Sequence, residues 1–210
     1  MEQEFWHQRW AENQIGFHRD SVHPMLMRYW STLCPMPDET VLVPLCGKSI
    51  DLNWLAEKHE HVIGVELSDI AVRAFFSENL YTPQVHRAPS GHTHYCFDEL
   101  DLISGDFFTA RLSPTSLIYD RAALVAMPPS MRDQYVHRVR DLLAPGGRLL
   151  LITLFYPQAD DNPPFSIDTS IVEEAFSGLD IRLLETQTEP EGDRGEQVWL
   201  IKANASCSVW

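Results

Sequence analysis

The stretch VLVPLCGKSIDLNWL, residues 41–55, runs from a short apolar segment into Gly-Lys-Ser and on into apolar residues at helical spacing. A strand, a tight turn and a helix in that order make the usual cradle for a nucleotide. A phosphate loop, however, needs G-x-x-x-x-G-K-[ST], because two glycines let successive backbone N–H groups converge on the phosphates. Leu42 stands where the first glycine belongs, and Pro44 removes one of the N–H donors. The dinucleotide pattern G-x-G-x-x-G also fails, with one glycine where three are wanted.

The next apolar segment, HVIGVEL (61–67), carries Glu66 at its carboxyl end, 19 residues after Gly47. An acid there can accept hydrogen bonds from both hydroxyls of a ribose; the alternative is a solvated acid at a strand end. A site with such an acid and no pyrophosphate nest suits S-adenosylmethionine, whose ribose needs the carboxylate and whose methionine end needs only a few backbone groups. The segment VRDLLAPGGRLLLITL (139–154), a helix, L-x-P-G-G and a strongly apolar strand, resembles the fifth-strand region of Rossmann-like methyltransferases, whereas Pro-Gly-Gly alone is only a turn signal.

Beyond these segments the chain alternates apolar runs with helical stretches. TVLVPL (40–45), HVIGVEL (61–67), LDLISGDFF (100–108), SLIYDRAAL (116–124) and GRLLLITLFY (147–156) read as strands. Helices are expected over 51–59, 68–79 and 130–143. The alternation predicts a parallel sheet wound on both faces. LDIRLLETQTE (179–189) and EQVWLIKA (196–203) are joined by too few residues for a parallel crossover, so they predict an antiparallel hairpin at one side. Two helices are expected before the first strand. One carries Phe5, Trp6 and Trp10; the other starts at Pro24 and carries Met25, Leu26, Tyr29, Trp30 and Leu33.

Composition limits the partners. At 210 residues the chain suits a single domain, 44% apolar and 22% charged. Its 30 acidic and 16 basic side chains give a net charge of −14, which disfavours nucleic acid and anionic membranes. No signal-like or membrane-spanning segment is read, and a cytoplasmic location is expected. The four cysteines, Cys34, Cys46, Cys96 and Cys207, have no C-x-x-C spacing and read as reduced thiols. His92, His94 and Cys96 hint at a metal, but lack a convincing fourth ligand; a polar strand edge is the preferred reading and no metal is expected.

Taken together, FWHQRWAENQIGFH (5–18), VPLCGKSIDLNWLAEKHEHVIGVELS (43–68), GDFF (105–108), YDRAALVAMPP (119–129), LLAPGGRLLLITLFYP (142–157) and PPF (163–165) resemble the thiopurine S-methyltransferase family of bacterial type. The resemblance runs over nearly the whole chain, and P-L-C-G-K-S-x-D with D-R-A-A-L is its most specific part. It implies an α/β, Rossmann-like fold, doubly wound and mostly parallel, with an antiparallel C-terminal hairpin and N-terminal capping helices. One methyltransferase domain would span 1–210, with the cap at 1–39, the core at 40–203 and a tail at 204–210. The implied cofactor is S-adenosylmethionine, held by Trp10, Leu45, Gly47, Glu66, Gly105, Asp106 and Arg121. Phe17, Arg121 and Arg194 would face a small-molecule thiol, with Arg121 nearest the chemistry. The resemblance favours a monomer and, through soft selenium and tellurium acceptors, a part in detoxification.

The residues alone leave other readings open. Trp6 and Trp10 could staple a helix to the core, Asp106 could cap a turn, and Arg121 could pair with Asp120. A nicotinamide-dependent oxidoreductase and a non-catalytic nucleoside-binding protein are the alternative functions.

Overall fold

The computed structural model describes residues 3–159, 161–190 and 192–205. The chain forms two compact units, one of the residues up to Met27 with Met36–Leu112, the other of Arg28–Pro35 with the chain from Ser113 onward.

The first unit contains α1 (Gln3–Ala11), β1 (Val41–Pro44), α3 (Asp51–Ala56), β2 (Val62–Glu66), α4 (Asp69–Glu78), β3 (Gln84–Arg87), β4 (Thr93–Phe97) and β5 (Leu100–Ser104). The helix α2 (Pro24–Tyr29) begins at the expected proline. The strand β2 pairs in parallel with β1 on one side and β5 on the other. Both of its faces are covered, and the apolar residues of VLVP and VIGVE are buried almost without alternation, as a parallel interior strand requires. The helix α4 starts after Ser68, in extended conformation, and buries Ala71, Val72, Phe75 and Phe76, a stripe at helical spacing. Asn79 closes it by donating from Nδ2 to the Phe75 carbonyl.

One strand has no counterpart among the sequence expectations. Gln84–Arg87 forms β3, antiparallel to β4, which is itself antiparallel to β5. All four residues of β3 are exposed, so the segment carries no apolar period to betray it. The helix α3 also ends at Ala56, three residues before the expected boundary at 59.

The second unit contains the 3₁₀ turn Trp30–Leu33, β6 (Thr115–Arg121), α5 (Pro129–Leu142), β7 (Leu143–Phe155), α6 (Thr169–Ala175), β8 (Asp180–Thr188) and β9 (Gly195–Lys202). Strands β6 and β7 are parallel, and β9 runs antiparallel to β7 and to β8, lying between them. The expected hairpin is therefore present. The helix α5 starts with Pro129 at its first position and buries Tyr135, Val136, Val139 and Leu142. Among the described residues the three cysteines Cys34, Cys46 and Cys96 are free thiols. The expected tail at 204–210 falls, from 206 onward, outside the described residues.

Candidate functional site

The turn after β1 is built against rather than with ordinary backbone preference. Leu45 has φ +48° and Gly47 φ +56°, so two of three successive residues are left-handed. Only glycine takes that conformation without strain, and at Gly47 a second constraint applies: an added Cβ would stand 3.1 Å from Cζ2 of Trp10. The Trp10 indole thus lies directly on the turn, and is itself buried.

Around Trp10 the N-terminal aromatics form a connected group. Phe17 meets Trp10 edge-on at 5.5 Å and Trp6 at 5.8 Å, and Phe5 meets Trp6 at 5.2 Å. Trp6 and Phe17 keep partial exposure whereas Trp10 does not. The staple reading fits this packing, since the buried indole on α1 rests on the glycine turn.

Glu66 ends β2 with its carboxylate turned back under this turn. Its Oε2 accepts from the Gly47 N–H at 2.9 Å and its Oε1 from the Ser68 N–H at 2.8 Å. It is 6% exposed. Burial raises its pKa from the ordinary 4.5 to about 7, against the N–H donors of Ser68, Gly47 and Leu67, which pull it down. The solvated-acid reading is thereby overturned: this acid is inside the protein. A carboxylate offers roughly four lone-pair positions, so capacity remains for a vicinal diol, which would bring two O–H donors to an acid short of solvation. The residues present fit a ribose.

Its main chain does a second task. The Glu66 carbonyl accepts from the Gly105 N–H at 2.9 Å, so one residue holds both Gly47 and Gly105. Gly105 has φ +147°, and a Cβ there would come within 2.3 Å of Cδ2 of His92. Asp106 accepts from the Phe108 N–H through Oδ1 at 3.0 Å, which is the turn-capping arrangement, and its carbonyl accepts from Thr109 and Ala110.

His92, read from the sequence as part of a polar strand edge, instead reaches the Asp106 loop, a contact that no local sequence pattern marks. Its Nε2 lies 3.0 Å from the Asp106 carbonyl, to which it donates, and its Nδ1 pairs with Ser90 Oγ at 3.1 Å. The other two metal candidates go elsewhere: His94 Nδ1 lies 2.9 Å from Asp101, and Cys96 Sγ 3.6 Å from the same carboxylate. No group of three or more metal-binding side chains occurs among the described residues.

Lys48, the residue that first suggested a phosphate loop, binds Glu78 at 2.6 Å through a largely buried side chain. Its charge is committed within the protein.

In the second unit Asp120 is fully buried, accepting from Tyr135 Oη at 2.7 Å and from the Leu124 N–H at 3.1 Å. Burial raises its pKa from 3.8 to about 6. These partners fix the turn that follows Arg121, in which Ala122 has φ +65°. Arg121 is the next strand position and so projects to the opposite face from Asp120. Arg194 sits over the Tyr156 ring at 5.9 Å, with Glu189 at 4.0 Å.

Comparison with known proteins decides the family. The family model for Thiopurine S-methyltransferase matches residues 1–206. The chain belongs to the thiopurine S-methyltransferase family. It is 57% identical over 182 residues to the thiopurine S-methyltransferase of Vibrio vulnificus, covering 86% of this chain and 84% of that one. It is 51% identical over 213 residues to that of Photobacterium profundum, covering 96% and 99%. Among solved structures it resembles the Burkholderia thailandensis 1,6-didemethyltoxoflavin-N1-methyltransferase bound to 1,6-didemethyltoxoflavin and S-adenosylhomocysteine. The TM-score is 0.67 at 13% identity, covering 96% of this chain and 87% of that one. An Anabaena variabilis S-adenosylmethionine-dependent methyltransferase matches with TM-score 0.61 at 15% identity over 95% and 93%. These likenesses establish the Rossmann-like α/β fold. As a thiopurine S-methyltransferase family member, the chain is an S-adenosylmethionine-dependent methyltransferase.

Proposed function

We propose that this enzyme methylates the sulfur of aromatic and heterocyclic thiols, thiopurines among them, as one methyltransferase domain acting as a monomer in the cytoplasm. The observation that carries the reading is the Trp10 ring against the Gly47 turn, with Phe17 edge-on to Trp10 and Trp6 edge-on to Phe17, an apolar aromatic group beside the buried acid Glu66. Trp10, Leu45, Gly47, Glu66, Gly105 and Asp106 are assigned to the cofactor. Phe17, Arg121 and Arg194 are assigned to the acceptor, with Arg121 also at the methionine end.

S-adenosylmethionine would supply, when bound, a methyl group on a sulfonium, and the neutral thioether left behind needs no protonation. The chain's own residues then need no acid–base dyad. Glu66 binds the ribose and, being dry, does so with little competing water. The Gly47 and Leu45 turn presents backbone to the methionine portion. Trp10 and Phe17 exclude water and hold a planar ring, which contributes through positioning rather than bond chemistry. An aromatic thiol is already partly ionised near neutral pH, and its thiolate is the nucleophile. Arg121 orients or stabilises that anion with a planar fork of donors. Soft selenium and tellurium nucleophiles are the second acceptor class, consistent with a detoxifying role.

The test is calorimetry with S-adenosylhomocysteine, NADH and ATP, followed by a thiophenol methylation assay on the same sample. The reading requires binding of S-adenosylhomocysteine alone and a methylated thiol as product. Tighter binding of NADH or ATP would overturn it, and binding without turnover would leave a nucleoside-binding protein.

A further inference from the structure

The motif P-L-C-G-K-S-x-D ends in an acid that the roles above do not use. Asp51 opens α3 and is 3% exposed. Its Oδ1 accepts from the backbone N–H of His23 at 2.8 Å, 28 residues earlier in the chain. His23 is equally buried, and its ring Nδ1 accepts from the Met25 N–H at 3.3 Å, where α2 begins.

Asp51 lies four residues after Gly47, and local hydrogen bonds span the stretch between them. The Ser49 N–H donates to the Cys46 carbonyl, Leu52 N–H to the Ser49 carbonyl, and Asp51 N–H to Ser49 Oγ, each at 3.2 Å. The acid and the turn therefore belong to one hydrogen-bonded segment. On the other side, residues 9–18 are folded on themselves, with Gln14 N–H on the Arg9 carbonyl and His18 N–H on the Ile15 carbonyl, both at 2.8 Å. The Trp10 ring on Gly47 and the His23 backbone on Asp51 both tie the cap to this turn. The first is apolar contact, which resists sliding poorly. The second is a charge-assisted hydrogen bond in a dry setting, which is directional and short.

We propose that Asp51 is a positioning residue: by fixing His23 it sets where the Trp10–Phe17 roof lies over the Gly47 turn, and so governs retention of the cofactor and access of the acceptor. This rests on the methyltransferase site described above. A carboxylate is an expensive group to bury for holding a backbone N–H, a task that a serine or asparagine also performs. Its use here fits a joint that must not yield when the roof moves. His23 is then the fixed end of the cap and residues 5–18 the part that responds to ligand.

The experiment uses the full chain and three readouts. In wild-type protein, the His23 amide is expected to resist hydrogen exchange with and without S-adenosylhomocysteine, while amides of 5–18 slow only with it. In Asp51→Ala, 5–18 should exchange faster in both states and S-adenosylhomocysteine should dissociate about tenfold to a hundredfold faster. KM for thiophenol should rise while kcat changes by less. Asp51→Asn keeps an acceptor oxygen for His23 and should restore dissociation to within about threefold of wild type, the range of one weakened hydrogen bond. Wild-type and Ala proteins with equal release rates and equal 5–18 exchange would overturn the proposal. Should Asp51→Ala fail to fold, a wild-type His23 amide exchanging as fast as 5–18 would overturn it independently. A wild-type protein that binds no S-adenosylhomocysteine would refute the site's function, while the exchange contrast would still judge the joint.

Discussion

The Gly47 N–H donates to Oε2 of Glu66 at 2.9 Å, joining the ends of two parallel neighbours, β1 and β2, through a side chain rather than the ladder. The glycine turn and the acid are one unit. Gly47→Ala should therefore harm both stability and cofactor binding. A left-handed alanine costs about 1–2 kcal/mol, and its Cβ presses on Trp10. Thermal unfolding and S-adenosylhomocysteine titration on the same variant check this, with a loss in both as the expected result.

Glu66→Ala should weaken S-adenosylhomocysteine binding by about 2–4 kcal/mol, or thirtyfold to a thousandfold, because two charge-assisted bonds to a ribose are lost. Calorimetry on folded variant measures it. Binding within about twofold of wild type would remove Glu66 from the site.

Cofactor affinity should depend on pH with a definite sign. The free Glu66 carboxyl is raised to about 7 by burial, and protonation removes the charge and turns one of its two acceptor oxygens into a donor, which weakens its hold on two hydroxyls. Affinity is then level above about pH 8 and falls as pH drops below 7, approaching tenfold per pH unit for one linked proton. Titrations from pH 5.5 to 8.5 decide it; a flat profile would contradict the assigned role.

Stability of the ligand-free protein should show the opposite slope over the same range. Glu66 and Asp120 have folded pKa values of about 7 and about 6, above the ordinary 4.5 and 3.8. Their contribution is complete below the ordinary values and is lost as pH rises through 6 and 7. Asp168, held down by Ser170, and Glu185, held down by Tyr29 and Arg28, act in the other direction and lose their contribution only in stronger acid. The melting temperature should thus fall between pH 5.5 and 8. Asp120→Asn, which can still cap Leu124 and bond Tyr135, should flatten that fall.

Gly105→Ala should destabilise by about 2–4 kcal/mol through backbone strain and the clash with His92. His92→Ala in the same protein should recover the steric share only, leaving the strain. Denaturant unfolding of the two single variants and the double variant gives the coupling directly.

Arg121→Lys should lower thiophenol turnover by about tenfold to a hundredfold and weaken S-adenosylhomocysteine binding by less, since charge survives but the planar fork does not. Unchanged turnover would assign the arginine a purely local role.

The sequence made the strand-and-helix alternation legible because parallel strands buried on both faces leave long apolar runs such as VLV and LLLITL. It also placed Glu66 by its distance from Gly47. What it could not show follows from physics that leaves no periodic trace. The strand Gln84–Arg87 buries nothing, so its pairing with β4 has no hydrophobic signature. His92 acts through a carbonyl 14 residues away, a contact set by the closing of a loop. Lys48 looked available for phosphate, and only the fold reveals Glu78 beside it.

The placement of β9 between β7 and β8 bears on synthesis. As the chain leaves the ribosome, β7 emerges with its apolar Leu149–Ile152 edge and β8 follows, yet neither has its β9 partner until Gly195–Lys202 is also out. A nascent chain stalled before Gly195 would carry two open strand edges, the hazard that chaperones meet in incomplete sheets. This unit therefore closes late, and truncations within the last hairpin should aggregate rather than yield a smaller folded protein.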